Sequence, residues 1–161
     1  MQATIRARIE RGLARLEPFA TTCGGSWKEL DSMRTEPVYH LTPESELRAG
    51  SRGDAYRPAS LAADGFVHCS ATPEVVLAVA RAYYAGVVEP LLLLRIEPAR
   101  LTSRLLFEAS APIGSELPGI PAETLFPHVY GPIDLAAVSG VGVIERRDGE
   151  PVWPQRFEPL K

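Results

Sequence analysis

Three histidines are spread through the chain, each in an apolar or aromatic setting: Tyr39-His40-Leu41, Phe66-Val67-His68-Cys69-Ser70 and Phe126-Pro127-His128-Val129-Tyr130-Gly131. Imidazole is the side chain that changes charge near neutral pH, and it can act as acid, base, hydrogen-bond partner or metal ligand. The middle stretch is the densest in chemistry. Read as a short strand, Gly65 to Ser70 puts Phe66, His68 and Ser70 on one face and Val67 and Cys69 on the other. The first face then lines a cleft, with His68 and Ser70 roughly 7 Å apart. The second enters the core, which makes Cys69 a small buried hydrophobe rather than a nucleophile.

Taken singly, a histidine near a strand is most often a satisfied hydrogen-bonding residue. Three together are harder to explain that way, because a buried imidazole needs partners for both ring nitrogens. Tyr56, Arg57, Ser70, Glu108 and Tyr130 are the candidates to complete a site around His40, His68 and His128. Each has a plainer reading beside it. Glu108 suits a solvated strand position, Tyr56 and Arg57 a surface loop, and Tyr130 a core aromatic with a bonded hydroxyl.

The elements that must position these groups follow from pattern. Residues 3–18 space Ile5, Ile9, Leu13 and Leu16 at helical intervals, with arginines between them. A polar, glycine-containing arm runs on to Glu36. Residues 1–36 thus read as a helix and connecting arm, and residues 37–161 as a single α+β domain. Pro37 to Leu41 reads as a strand, with Val38 and His40 on one face. Thr42-Pro43 reads as an N-cap and first-turn proline of a short helix ending at Gly50, with residues 51–60 a polar loop beyond it. Thr72-Pro73-Glu74 predicts a second such start, for a helix to Tyr84 that buries Val75, Val76, Val79 and Tyr83. Pro90 to Ile96 is too continuously apolar to be half exposed and belongs at the centre of a sheet. Arg104 to Ala109 alternates as a strand. Pro112 to Pro121 reads as a surface loop, and one or two strands follow from Leu135 to Arg146. Asp148-Gly149 is a turn signal, and Trp153 is placed to pin the tail.

Composition bounds the function. At 161 residues, one ordinary domain buries about 70% of its unfolded surface and needs no metal or disulfide staple. Hydrophobic residues at 45% and charged ones at 23% fit a compact globular fold and exclude a disordered or fibrous chain. The net charge of −3 and the lack of any basic run beyond Arg146-Arg147 exclude general binding to extended nucleic acid. They do not exclude a nucleotide. No apolar run approaches membrane-spanning length, so no membrane partner is expected. Two distant cysteines, Cys23 and Cys69, make a reducing cytoplasm the simplest location. Arg6, Arg8, Arg11 and Arg15 resemble an organelle transit peptide, against which Glu10 and Glu17 weigh. The common signatures are missing: no Gly-x-Gly-x-x-Gly after a strand, P-loop, Cys-x-x-Cys, His-Glu-x-x-His or Gly-x-Ser-x-Gly occurs. The pair Gly140-Val141-Gly142 is too little to count.

From Val38 to about Glu145 the chain resembles the family known as domain of unknown function 952. The residues that carry this are Tyr39-His40, Tyr56-Arg57 with Ser60-Leu61, the Gly-Phe-Val-His-Cys-Ser stretch, Tyr83, Leu92-Leu93-Leu94, Phe107-Glu108 and Phe126 to Pro132. Where the family pattern has a tryptophan after the first histidine, this chain has Leu47. The family in turn resembles the ADP-ribosyltransferase superfamily, especially its RNA 2′-phosphotransferase branch. That likeness rests on the order of His40, Val67-His68-Cys69-Ser70, a helix, and an apolar strand ending at Glu97.

The resemblance implies a split pair of small antiparallel sheets with flanking helices, holding NAD in the cleft between them. It implies an ADP-ribosyltransferase-like enzyme acting through an oxocarbenium-like state, with a small-molecule nucleotide as ligand. On that reading His40 bonds the adenosine ribose, and His68 and Ser70 line the nicotinamide side, with Tyr56 and Arg57 also at the ligand. Glu108 or Tyr130 faces the reactive ribose, and His128 takes a phosphate or the acceptor. Two alternatives stand beside it. One is a non-catalytic module that binds a nucleotide-like small molecule. The other is a metal-dependent enzyme in which the three histidines leave an open position for water, although no pair shows ligand spacing.

Overall fold

A computed structural model describes residues 35–109 and 117–160, so the expected N-terminal helix and most of the arm lie outside the described residues, as do residues 112–116 of the expected loop. The described part is an α+β arrangement of ten strands and three helices. In order these are β1 (Val38–Pro43), α1 (Glu44–Gly50), β2 (Ser51–Arg52), β3 (Ala55–Tyr56), α2 (Ala59–Asp64), β4 (Val67–His68), α3 (Pro73–Tyr83) and β5 (Leu91–Ile96). Then come β6 (Arg104–Ala109), β7 (Leu125–Tyr130), β8 (Ile133–Asp134), β9 (Val138–Arg147) and β10 (Glu150–Val152). Among the described residues no helix is long and apolar enough to cross a membrane.

The strands form three antiparallel sheets, ordered β1-β5-β9-β10, β2-β3-β8 and β4-β7-β6. The first and third are stitched together by backbone bonds between Tyr39 and Ser70, 2.9 Å and 2.8 Å, in the two directions. β5 is central in the four-stranded sheet, as its unbroken apolar run requires. Leu91 and Leu93 face a cluster with Val76 and Ala80 of α3, while Leu94 and Ile96 face a second cluster with Val38, Tyr56, Val67 and Val129. Burial on both faces removes the alternation that a half-exposed strand would show.

Several expectations are corrected. Thr42 does not cap α1: it and Pro43 stay in β1, paired with Leu92 and Leu91, and the N-cap position falls on Pro43, with no side-chain cap. Thr42 is fully buried, and its hydroxyl shares a 2.8 Å bond with the Tyr56 hydroxyl instead of capping a helix. Pro43 is tolerated because β1 lies at the sheet edge. The polar loop at 51–60 folds into the β2–β3 hairpin and the start of α2. Thr72, by contrast, does cap α3, accepting from the Val75 amide. The buried stripe of α3 is centred on Val76 and Ala80, which turns Tyr83 outward to 59% exposure. Tyr84 is turned inward, and its hydroxyl donates to the Leu41 carbonyl at 3.1 Å.

The Asp148-Gly149 signal is a tight turn between β9 and β10, with both residues at positive φ. Trp153 packs edge-on against Tyr39 at 5.1 Å, so the C-terminal segment lies over the four-stranded sheet. Gly142 makes that approach possible, since a Cβ there would meet Pro154 at 2.7 Å.

Candidate functional site

The site is built on one face of the β4-β7-β6 sheet. Gly65 ends α2 at φ 87, a left-handed conformation that turns the chain sharply into β4. Val67 and Cys69 then enter the core at 0% and 4% exposure, while Phe66 and His68 stay on the outer face. His68 lies opposite His128 in the ladder. On the far side of β7, Leu106 is paired with His128 and Glu108 with Phe126, so Glu108 and His128 are diagonal neighbours on one face. The other face of β6 and β7, with Leu105, Phe107 and Val129, packs into the core.

The polar face carries a connected network. A single oxygen of Glu108, Oε2, accepts from His128 Nδ1 and from the Tyr130 hydroxyl, each at 2.8 Å. The bond from His128, followed by that from Tyr130, holds the Glu108 carboxyl below its ordinary value and keeps it ionised. The same carboxylate pushes the Tyr130 hydroxyl up, so Tyr130 remains a donor. Phe66 packs on this group, with ring centroids 4.2 Å from His128, 4.8 Å from His68 and 5.4 Å from Tyr130. His68 bonds Asp64 at 3.1 Å on the exposed side.

His40 reaches the site from β1. It is 6% exposed and donates from Nδ1 to the His68 carbonyl oxygen at 2.7 Å. A carbonyl can only accept, so the proton is on Nδ1. Burial pushes the His40 pKa below its ordinary value and keeps the ring neutral. Nε2 is therefore a buried lone pair, and among the described residues it has no partner.

These groups surround a cleft of about 580 Å³, lined by His40, Phe66, His68, Ser70 and His128 together with Tyr39, Tyr83, Leu117 and Phe126. A concave, mostly apolar space with a few convergent polar groups is the usual form of a small-molecule site. Not every expected residue joins it. Tyr56 is fully buried behind His40, 5.8 Å between ring centroids, and is not a lining residue. Arg57 is exposed and also lies off the cleft, so no arginine or lysine among the described residues lines it. Glu108 and Tyr130 are not lining residues either; they reach the cleft through His128. Cys69 contributes to the lining as well as the core, but burial pushes its thiol up to about 12, so it is no nucleophile. Leu47 is buried in the core rather than at the cleft.

The described residues contain no group of three His, Cys, Asp or Glu side chains able to hold a metal ion. The three histidines line one cleft without forming such a group, and His40 and His128 each bond a partner within the protein through Nδ1. Sequence reasoning placed Phe66 on the cleft face, as found, but missed Asp64 and Glu46. Asp64 sits four residues before His68, at the end of α2, and bonds it across the turn into β4. Glu46 lines the cleft and accepts from the Ala59 amide at 2.9 Å, fixing α1 to the start of α2. No local signal marks it.

Comparison with known proteins bears on the family alone. No curated protein matches the chain. Protein CC0527 of Caulobacter crescentus is similar: its crystal structure superposes with a TM-score of 0.57 at 26% identity, covering 72% of this chain and 93% of that one. A solution structure of the same protein gives 0.54 at 25% identity, covering 74% and 91%. The model of a family described as protein of unknown function (DUF952) matches residues 41–141, more than half of the 161 residues. The matched region holds His68, His128 and most of the other cleft residues, with Tyr39 and His40 just before it, and the chain belongs to the DUF952 family.

Proposed function

We propose that the cleft binds the nucleoside portion of NAD or ADP-ribose and that the protein is an ADP-ribosyltransferase-like enzyme acting at the N-glycosidic bond. One observation carries this reading: the buried, unpartnered Nε2 of His40 in a cleft of about 580 Å³. A neutral imidazole pinned at Nδ1 asks for a donor, and a ribose hydroxyl supplies one. The Phe66 ring and the neighbouring aromatic residues offer an apolar wall for a base. Resemblance to the ADP-ribosyltransferase superfamily in motif order supports the same ligand class.

A second reading, a nucleotide-like binding module without catalysis, is favoured by a specific observation. No described lining residue is cationic, and Glu108 does not face the cleft directly. This composition suits a ribose and base better than a pyrophosphate, whose usual partners are arginine and lysine.

Thermal unfolding with nicotinamide riboside, adenosine, ADP-ribose and NAD tests both readings. The expected result is a rise in melting temperature with a riboside that is lost in His40→Asn, a change that keeps a donor near Nδ1 and removes Nε2. No shift with any of the four ligands overturns both readings. Release of nicotinamide from NAD then separates enzyme from binding module.

A further inference from the structure

The Glu108-His128-Tyr130 network holds a histidine in the form of a general base, and this deepens the proposed reading of the same cleft. His128 lines the cleft, whereas Glu108, which takes its Nδ1, does not. The ring edge left to the cleft is thus the one bearing Nε2, which takes no hydrogen bond from the described residues. Because the Glu108 carboxylate accepts at 2.8 Å, a singly protonated His128 carries its proton on Nδ1 and its lone pair on Nε2. The Tyr130 hydroxyl, donating to the same oxygen at 2.8 Å, holds the carboxylate against rotation. Phe66, 4.2 Å away and tilted 32°, restricts the imidazole from one face. A base fixed by an ionised carboxylate on its far nitrogen is the arrangement that activates oxygen nucleophiles in acyl transfer and hydrolysis.

We infer that His128 is the base that deprotonates an acceptor hydroxyl or water in this cleft, and that Glu108 is a positioning residue that sets its tautomer rather than facing the reacting ribose. The inference rests on the proposed ligand for the identity of the bond broken. In that step the acceptor oxygen bonds to C1′ of the ribose as the C1′–N bond breaks. The bonding electron pair leaves with nicotinamide, which departs neutral. The acceptor proton passes to Nε2 of His128 and then to solvent. With water as acceptor the products are ADP-ribose, nicotinamide and a proton. His68 also bonds a carboxylate, Asp64 at 3.1 Å through Nε2, but that pair is exposed, and no tyrosine among the described residues holds the carboxylate.

The test combines a structural readout with a rate. Nitrogen chemical shifts of ¹⁵N-histidine-labelled protein distinguish the two tautomers, and the His128 signals are assigned by their loss in His128→Asn. The expected result is a protonated Nδ1 and a bare Nε2 in the wild type, with the opposite tautomer gaining population in Glu108→Gln. Nicotinamide release is expected to slow by about 100-fold in His128→Asn, the usual scale of general-base catalysis, with KM little changed. Glu108→Gln, at an exposed carboxylate, should fold normally and show the loss in kcat as well. A protonated Nε2 in the wild type, or a tautomer indifferent to Glu108→Gln, overturns the inference whatever the assay gives. So does unchanged nicotinamide release in His128→Asn. The expected tautomers without nicotinamide release by the wild type would overturn the NAD reading and support the clamp.

Discussion

His40 and His128 occupy the same cleft under opposite constraints. His40 is held by a backbone carbonyl, deep in the domain, with no charged group bonded to it. His128 is held by an ionised carboxylate that also binds a tyrosine. Both are pinned at Nδ1, yet the first is kept neutral by burial and can only accept a hydrogen bond from a ligand. The second has an ionised carboxylate at Nδ1, which leaves the lone pair of the neutral ring on Nε2, where the proposed base acts. The partner on the far nitrogen, more than the histidine itself, decides between binding and proton transfer.

The comparison can be broken most directly by stability. His40→Ala should cost about 2–4 kcal/mol, because it opens a void and leaves the His68 carbonyl unpaired. Urea denaturation measures this, and a cost no larger than that of His68→Ala would show that His40 is not the anchored member. Behind His40, Tyr56→Phe should cost about 1–3 kcal/mol, since it removes the 2.8 Å partner of the buried Thr42 hydroxyl and leaves that hydroxyl only a longer bond to the Pro43 carbonyl. A neutral result there would mean that the hydroxyl pair does not help to hold the His40 side of the cleft.

Acid should separate the two histidine environments. The folded pKa of His40 lies below the ordinary 6.5, so the unfolded chain takes up that proton first. Its contribution to stability is complete above about pH 6.5 and is lost as pH falls from there toward the folded value. Glu108, also depressed in the folded protein, contributes above its ordinary 4.5 and loses that contribution only as pH falls further. Unfolding free energy measured against pH should therefore decline in two windows. The upper one should disappear in His40→Asn and the lower one shrink in Glu108→Gln; a profile unchanged by either variant would refute the contrast. The smallest effect belongs to His68→Ala, within about 0.5 kcal/mol because the Asp64 pair is exposed. A larger loss would place His68 with His40 as a structural residue.

Much of the frame was legible in sequence where a local rule sufficed. The central position of β5 followed from Leu91 to Ile96, the cap at Thr72 from Thr-Pro-Glu, and the β9–β10 turn from Asp148-Gly149. Alternation through 66–69 separated Phe66 and His68 from Val67 and Cys69. The same rules misread Thr42-Pro43, where pairing with β5 and burial against Tyr56 outweighed a capping signal. They misread Tyr83 too, because the helix rotation is set by what α3 packs against. Tyr56 and Arg57, adjacent in sequence, were treated alike, and the β3–β8 pairing sent one into the core and left the other in solvent.

What the sequence determined by itself was the inventory: three histidines in structured settings, an alternating strand at the middle one, and one acidic strand residue among apolar neighbours. Those features depend on residues near each other in the chain, where backbone periodicity dictates direction. The tertiary structure alone decided that Glu108 meets His128 across a ladder twenty residues long in sequence, and that the His68 carbonyl meets His40. Register between distant strands sets those meetings, and no local pattern encodes register. That is why the residues could be named from sequence while their division into acceptor, base and clamp could not.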